Sequence, residues 1–217
     1  MAYDYQKKIV NLYDAISEEF DRTRIKPDCL LKTLVNRGAA TKSKQILDNG
    51  CGNCRNLNVF SQRNTLIAGD ISRKMLKQCL KNTWRKNVHH VQYALTHLPF
   101  RSRVFNGIVC IAVIHHLKEK EAEKALMEMN RVLEDDGWML VSSWSIKILR
   151  NKRFLSKTEK TDENYFLISW GTHKRFYFLM DAKTLRAICR KTGFTDADTL
   201  EYGMNNYCLI DRRKRKD

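Results

Sequence analysis

Proline is nearly absent from this chain of 217 residues, with Pro27 and Pro99 the two examples. That excludes a proline-rich linker or a polyproline ligand. Glycine is scarce as well, nine in all, and three of the nine fall at Gly50, Gly52 and Gly69. No run approaches the ~20 apolar residues of a membrane span. The N-terminus, Met-Ala-Tyr-Asp-Tyr-Gln-Lys-Lys, has no apolar signal core. Acid is in short supply: 24 Asp and Glu stand against 40 Lys and Arg, a formal net charge of +16. An imbalance of this size points to a polyanionic partner. Cysteines number seven, odd and mostly inside apolar segments. That reads as reduced thiols in the cytoplasm or the nucleus rather than a disulfide framework. Cys51 and Cys54 form a CxxC, but no second cysteine or histidine pair at ligand spacing completes a zinc site, so they read as turn residues and no metal is expected.

What remains is ample for a folded domain, since hydrophobic residues make up 43% and aromatics 10%. Apolar positions at Ile9, Leu12, Tyr13, Ile16 and Phe20 have helical spacing over 3–20. A second helix over 28–37 ends at Gly38. Strands are expected at 45–48, 65–69, 88–93, 106–112 and 137–144, and helices at 54–61, 72–83, 119–134 and 181–192. In 119–134 the residues Ala122, Ala125, Leu126, Met129 and Leu133 share a face, and Asp135-Asp136-Gly137 closes it. A final hairpin, 195–202 with 204–211, turns at Gly203. Alternation of this kind builds a single α/β domain over 1–217, Rossmann-like, with seven strands, mostly parallel and closed by a C-terminal antiparallel hairpin. Residues 1–38 form a helical lid, and 145–175, basic and aromatic, form an insertion over the carboxyl edge.

Two sites in that frame carry chemistry. Ile46-Leu47-Asp48-Asn49-Gly50-Cys51-Gly52-Asn53 is an apolar strand end running into a glycine turn. Asp70 lies twenty residues beyond Gly50, at the end of the next apolar run, followed by Ile71. In a doubly wound sheet both open onto the edge where ligands bind. Asp48-x-Gly50-x-Gly52 is shorter than a pyrophosphate nest and suits a cationic, amino-acid-bearing nucleoside such as S-adenosylmethionine. An acid in the place of Asp70 can accept both ribose hydroxyls.

Basic residues cluster at Lys74–Lys86, Lys147–Lys160, His173-Lys174-Arg175 and Arg212–Lys216, interleaved with Trp84, Phe154, Phe166, Trp170, Phe176 and Tyr177. Aromatic stacking beside phosphate neutralisation suits single-stranded nucleic acid. No clean amphipathic membrane anchor is seen.

Asp48–Gly52, Gly69-Asp70, Leu98-Pro99-Phe100 and Cys110–His116 together resemble class I S-adenosylmethionine-dependent methyltransferases. Phe20–Arg24, Ile111–His116, Ser143-Trp144, Ser169-Trp170, Arg175–Tyr177 and Asn205–Tyr207 narrow the resemblance to the eukaryotic tRNA wobble-uridine methyltransferases. That family esterifies 5-carboxymethyluridine in the anticodon loop to 5-methoxycarbonylmethyluridine. Asn49 and Cys54 stand where its first motif has an aliphatic residue and a glycine, and Tyr93-Ala94 where it has an acid.

The resemblance implies that Asp48, Gly50 and Gly52 hold the methionine end of the cofactor, and Asp70 with Ile71 the ribose. Ala94 and Leu95 then flank the adenine, and Ile111 and Ala112 face the sulfonium. It places Arg24, His116, Arg175 and Asn205 by the substrate, with Trp144 and Trp170 as stacking platforms. It also implies a small zinc-binding activator subunit, paired along the edge strand 88–94. Two other functions are open on this sequence: a small-molecule methyltransferase of the quinone type, and an inactive methyltransferase-like RNA-binding subunit.

Overall fold

The computed structural model describes residues 2–38, 40, 44–83 and 87–213, with side chains from residue 7 onward. Lys42, Trp84, Lys86 and the basic tail beyond Arg213 lie outside the described residues.

Helix α1 (Ala2–Thr23) and helix α2 (Cys29–Asn36) precede the sheet. Asp28 caps α2, its side chain accepting from the Leu30 and Leu31 amides at 3.0 Å each. Then follow β1 (Gln45–Asn49), β2 (Thr65–Asp70), α3 (Arg73–Asn82), β3 (Val88–Gln92), β4 (Phe105–Ile111), α4 (Glu119–Val132) and β5 (Leu133–Trp144). Ser72 caps α3 through the Met75 amide, at 3.1 Å. A short helix α5 (Lys152–Leu155) leads to β6 (Thr158–Asp162), β7 (Tyr165–Trp170) and β8 (His173–Phe178). Helix α6 (Ala182–Lys191), β9 (Asp198–Tyr202) and β10 (Asn205–Asp211) complete the chain.

The main sheet has seven strands in the order β3-β2-β1-β4-β5-β10-β9. The first five are parallel, and β10 runs antiparallel to both neighbours. Strand order reverses between β1 and β4, so the cleft opens above their carboxyl ends. Strand residues alternate between two cores. Leu47, Ile67, Ile108, Cys110, Met139 and Val141 join α4 and α6 on one face. Ile46, Leu66, Ala68, Val109, Ile111 and Leu140 face α2 and α3 on the other. A period of two with both faces buried is what a doubly wound sheet requires. No described helix is long and apolar enough to cross a membrane.

Three departures from the sequence expectation stand out, the first two with local causes. The helix expected at 54–61 is a 3-10 turn over Arg55–Val59. It starts from Cys54 in the left-handed region (φ 64°), and Asn64 then folds the chain back by accepting from the Ser61 amide. Helix α4 stops at Val132 and β5 begins at once. Its residues 134–137 bulge out of the ladder, because Leu133 pairs with Phe105 and Trp138 with Gly107. The Asp135-Asp136-Gly137 turn is therefore a bulge inside a strand.

The basic segment 145–175 is not loop. It forms most of a second, three-stranded antiparallel sheet, β6-β7-β8, over its own small core of Ile148, Phe166, Ile168, Tyr177 and Leu179.

The third departure is chemical. Cys54 and Cys79 are bonded across 25 residues, not free thiols. The other cysteines described, Cys29, Cys51, Cys110, Cys189 and Cys208, are free.

Candidate functional site

The glycine turn after β1 is held from beneath. The Gly50 and Cys51 amides both donate to the Gly69 carbonyl, at 2.8 and 2.9 Å. Gly50 (φ 84°) and Gly52 (φ 54°) take left-handed backbone that glycine adopts without strain. The Gly52 amide donates to Asp70 Oδ2 and the Ser72 amide to Asp70 Oδ1, each at 2.9 Å. Asp70 also lines the cavity above the turn. Asn49 is fully buried and accepts from the Tyr93 hydroxyl at 3.0 Å, so its polar side chain has a structural use.

A cavity of about 1140 Å³, open solvent at its mouth included, lies above this edge. It is lined by Gly50, Gly52, Asp70, Ile71, Ala94, Leu95, Ile111 and Ala112 of the expected cofactor set, and by Arg24, His116 and Arg175 of the expected substrate set. Asp48 is fully buried below the turn, and neither carboxylate oxygen has a hydrogen-bond partner. Asn205 stands apart, outside the lining, its amide donating to the Tyr207 hydroxyl at 3.3 Å.

Burial raises the Asp48 carboxyl to about 7, with the charge of Asp70 adding to the effect. Burial likewise raises Asp70 to about 6, against the pull of the Ser72 and Gly52 amides. Two buried carboxyls raised toward neutrality, one of them with no hydrogen-bond partner, make a site that a cation would stabilise.

Ala112 takes left-handed backbone (φ 58°) and its amide donates to Ser142 Oγ at 2.9 Å. Strain of this kind collects where a backbone must be aimed at a ligand.

Helix α1 closes over the cleft. Tyr13 donates to His116 Nε2 at 2.5 Å. Asp14 accepts from the Ser72 hydroxyl at 2.5 Å, and Asp21 from the Asn53 amide at 2.9 Å. Asn53 also donates to the Arg24 carbonyl at 2.8 Å, which fixes Arg24 at the mouth. Tyr13 and Phe20 share the apolar face of α1, and both line the cavity. Helical spacing marks them as buried but cannot distinguish a core from a ligand.

The second sheet supplies the far wall. Arg175 is buried, and its Nε has no hydrogen-bond partner. Its guanidinium lies 4.4 Å from the Trp170 ring centroid, 5.3 Å from Tyr177 and 5.7 Å from Trp144. Arg24 lies over the same Trp170 ring at 5.1 Å. Burial and then the charge of Arg175 lower the Arg24 guanidinium. Two like charges are thus turned toward one cavity, and neither has an ion pair among the described residues.

His115 and His116 are both neutral, held low by burial, His116 at about 3. His115 accepts from the Trp144 amide at 3.0 Å and stacks on Tyr177. His115, Tyr177, Arg55 and Asn56 also line the cavity, and sequence reasoning did not single them out as site residues.

Residues 47–141 match the family described as a methyltransferase domain. A protein of Encephalitozoon cuniculi, named as a methyltransferase without a stated substrate, is 29% identical over 199 residues, 89% of this chain and 90% of that one. The Arabidopsis thaliana tRNA (carboxymethyluridine(34)-5-O)-methyltransferase is 31% identical over 148 residues, 65% of this chain and 34% of that one. This chain therefore corresponds to about a third of that relative. Among solved structures, the Burkholderia thailandensis 1,6-didemethyltoxoflavin-N1-methyltransferase, crystallised with 1,6-didemethyltoxoflavin and S-adenosylhomocysteine, aligns at a TM-score of 0.69 with 16% identity, covering 97% of this chain and 88% of that one.

The fold is that of the class I methyltransferases, with a methyltransferase domain at its centre. The residues present fit the cofactor of that class, S-adenosylmethionine: an acid at the end of β2, a glycine turn in left-handed backbone, and an unpartnered buried carboxylate below it.

Proposed function

We propose that this chain is a tRNA methyltransferase that esterifies the carboxylate of 5-carboxymethyluridine, at the anticodon wobble position, to 5-methoxycarbonylmethyluridine. The observation that carries the reading is the pair of guanidiniums, Arg24 and Arg175, lining one cavity over the same Trp170 ring, neither in an ion pair among the described residues. An anionic substrate group satisfies both. The tRNA relative at 31% identity and the formal charge of +16 support an RNA substrate.

S-adenosylmethionine, when bound, supplies an electrophilic methyl group on its sulfonium. The chain's residues then have four tasks. Asp70 accepts the ribose hydroxyls while the Gly52 and Ser72 amides hold its carboxylate still. Asp48, buried below the glycine turn and outside the cavity lining, acts on the positive methionine end through its charge and not by contact. Ala94 and Leu95 flank the base, and Ile111 and Ala112 place backbone beside the reacting centre. Arg24 and Arg175 orient the substrate carboxylate, whose reference pKa near ~4 leaves it ionised and nucleophilic without a general base. Holding it in line with the methyl group supplies the acceleration, and such positioning is worth up to roughly 7–11 kcal/mol. His116, neutral and doubly hydrogen-bonded, shapes the wall and moves no proton.

A wobble nucleotide splays from its loop at less cost than a duplex base flips. Of the two expected stacking platforms, Trp144 lines the cavity with one face on Tyr177, whereas Trp170 lies outside the lining with Arg24 and Arg175 over its ring, so a splayed base would pack beside Trp144. The chain also pairs, in this reading, with a small zinc-binding activator subunit along the open edge of β3, which belongs to the sheet's outer side.

The test is incubation with radiolabelled S-adenosylmethionine and tRNA carrying the carboxymethyl group, followed by nucleoside mass spectrometry. Appearance of the methyl ester supports the reading. Transfer to small acids or quinones but not to that tRNA overturns it.

A further inference from the structure

We infer that Cys54 and Cys79 are an oxidisable pair that clamps together the two chain segments forming the cofactor cleft. Cys54 follows the glycine turn directly, in left-handed backbone. Cys79 sits in the body of α3, the helix that starts just after Asp70. Their Cα atoms are 4.7 Å apart, inside the range a disulfide needs. The bonded pair closes a loop containing β2, Asp70, Ile71 and Ser72. It therefore ties the turn that meets one end of the cofactor to the strand end that meets the other.

A third sulfur lies alongside. Among the described residues, the sulfurs of Cys51, Cys54 and Cys79 all fall within 4.8 Å of one another, and all three residues are buried. A thiolate metal site is the rival use of such a cluster, and its surroundings disfavour it. Leu57, Phe60 and Ala68 pack around it. Burial, followed by the charges of Asp70 and Asp48, holds the Cys51 thiol well above its usual range. Three thiolates around a divalent ion leave one net negative charge, beside two acids, in an apolar wall. A disulfide is neutral and carries no such cost. Its formation transfers two electrons and two protons from the thiols to a hydroperoxide; hydrogen peroxide becomes two waters, and a dithiol reverses the change.

Fixing both ends of the loop removes freedom that the reduced cleft must lose when it binds. The oxidised form is the tighter binder. This last step rests on the cofactor assignment above, whereas the cross-link itself does not.

The experiment uses the full chain, wild type, Cys79→Ser and Cys54→Gly, each treated with hydrogen peroxide or with dithiothreitol. Glycine suits the left-handed backbone at 54, so that variant covers any packing failure at the fully buried Cys79. Peptide mass spectrometry of alkylated protein is expected to show a Cys54–Cys79 cross-link, lacking two hydrogens, in oxidised wild type and in neither variant. Oxidised wild type is expected to melt roughly 5–10 °C above reduced, and to bind S-adenosylhomocysteine roughly 3–10-fold more tightly; neither variant should respond. No cross-link after peroxide, or one zinc per chain in protein isolated under reductant, overturns the pair. A cross-link with unchanged affinity overturns the clamp. A cross-link and a melting shift in a protein with no affinity for S-adenosylhomocysteine in either state defeats the cofactor assignment and leaves the pair standing.

Discussion

The Tyr13 hydroxyl donates to His116 Nε2 at 2.5 Å, across 103 residues of sequence. The direction of that bond follows from the other side of the ring. His116 Nδ1 lies 2.8 Å from the Phe176 carbonyl, which can only accept, so Nδ1 carries the proton and Nε2 is the acceptor. Burial keeps the histidine neutral and raises the tyrosine to about 12, which holds both protons in place. One imidazole thus fastens the lid helix α1 to the second sheet, over the cavity.

Tyr13→Phe should loosen that fastening. It deletes the hydrogen bond to His116 Nε2, whose net worth is about 0.5–1.5 kcal/mol. The expected result is a lower melting temperature and roughly 5-fold or more weaker binding of S-adenosylhomocysteine by calorimetry. Equal affinity in the variant would show that the lid closes without this bond.

Asp70→Ala should remove cofactor binding while the sheet still forms. The substitution deletes the ribose acceptor and also strands the Gly52 and Ser72 amides that now donate to it. Asp70→Asn keeps the shape and one acceptor oxygen, so it should retain part of the affinity. Circular dichroism alongside calorimetry separates the two effects, and unchanged affinity in Asp70→Ala would refute the site.

The pH dependence of cofactor affinity has a definite sign. Asp48 and Asp70 must be ionised to hold a cationic, hydroxyl-bearing ligand, and burial places them at about 7 and about 6. Affinity should therefore rise from pH 5 to pH 8 and flatten above about 7, by up to about tenfold per pH unit between about 6 and 7 and up to about a hundredfold per unit below about 6. Stability of the free protein runs the other way. Both carboxyls titrate higher in the folded chain than at the unfolded value near ~4, so their contribution favours the fold at low pH and declines as pH rises toward 7. Melting curves across that window, with and without S-adenosylhomocysteine, test both halves; an affinity that falls as pH rises would sink the assignment.

Much of this was legible in the sequence because alternation and turn chemistry are local. Ile46–Asn53 and Thr65–Asp70 declare buried strands ending at a ligand edge, and the strand order follows from the rules of doubly wound sheets. Asp48, Gly50, Gly52 and Asp70 could be named because an acid and a glycine turn at neighbouring strand ends fall on the edge where such sheets bind ligands, and all but Asp48 line the cavity. Tyr13 could not, because its place on an apolar helix face marks any core residue equally well. Arg175 was legible as a charge but not as a buried one: it reads as part of a surface cluster with Lys174, whereas β8 turns it inward and leaves Lys174 exposed beside Glu159. The Cys54–Cys79 pairing is a long-range contact, invisible until β2 and α3 are folded back.

Binding to tRNA should weaken steeply with salt. Each phosphate neutralised adds roughly 0.7–0.9 to the log–log slope. Lys152 and Arg153 are exposed on α5, so reversing both to glutamate should lower tRNA affinity and leave the affinity for S-adenosylhomocysteine intact. Lys174→Glu should do less, since its ammonium is already engaged by Glu159 at 2.6 Å. Filter binding at several salt concentrations reads both, and a flat response would point to an uncharged substrate.

The proposed partner can be tested by the direction of the backbone. Strand β3 is an outer strand of the main sheet, paired with β2 on one side. The Tyr93 amide donates to the Asp70 carbonyl, so the odd-numbered residues of this strand turn their hydrogen-bonding groups inward, and Val88, His90 and Gln92 turn theirs outward. An added strand would bond to those three. Leu98 and Phe105, nearby in sequence, are buried and offer it no apolar surface, so pairing falls to the backbone and to Val88 and Val91. His90→Pro removes one outward amide and leaves the β2 ladder whole, which edge strands tolerate. Co-expression with the zinc-binding subunit should give a heterodimer on gel filtration, and His90→Pro should break it while the variant still binds S-adenosylhomocysteine. Val91→Pro, which removes an inward amide, should instead lower the melting temperature. A complex that survives His90→Pro, or a wild-type chain fully active alone and indifferent to the subunit, would exclude docking along this edge.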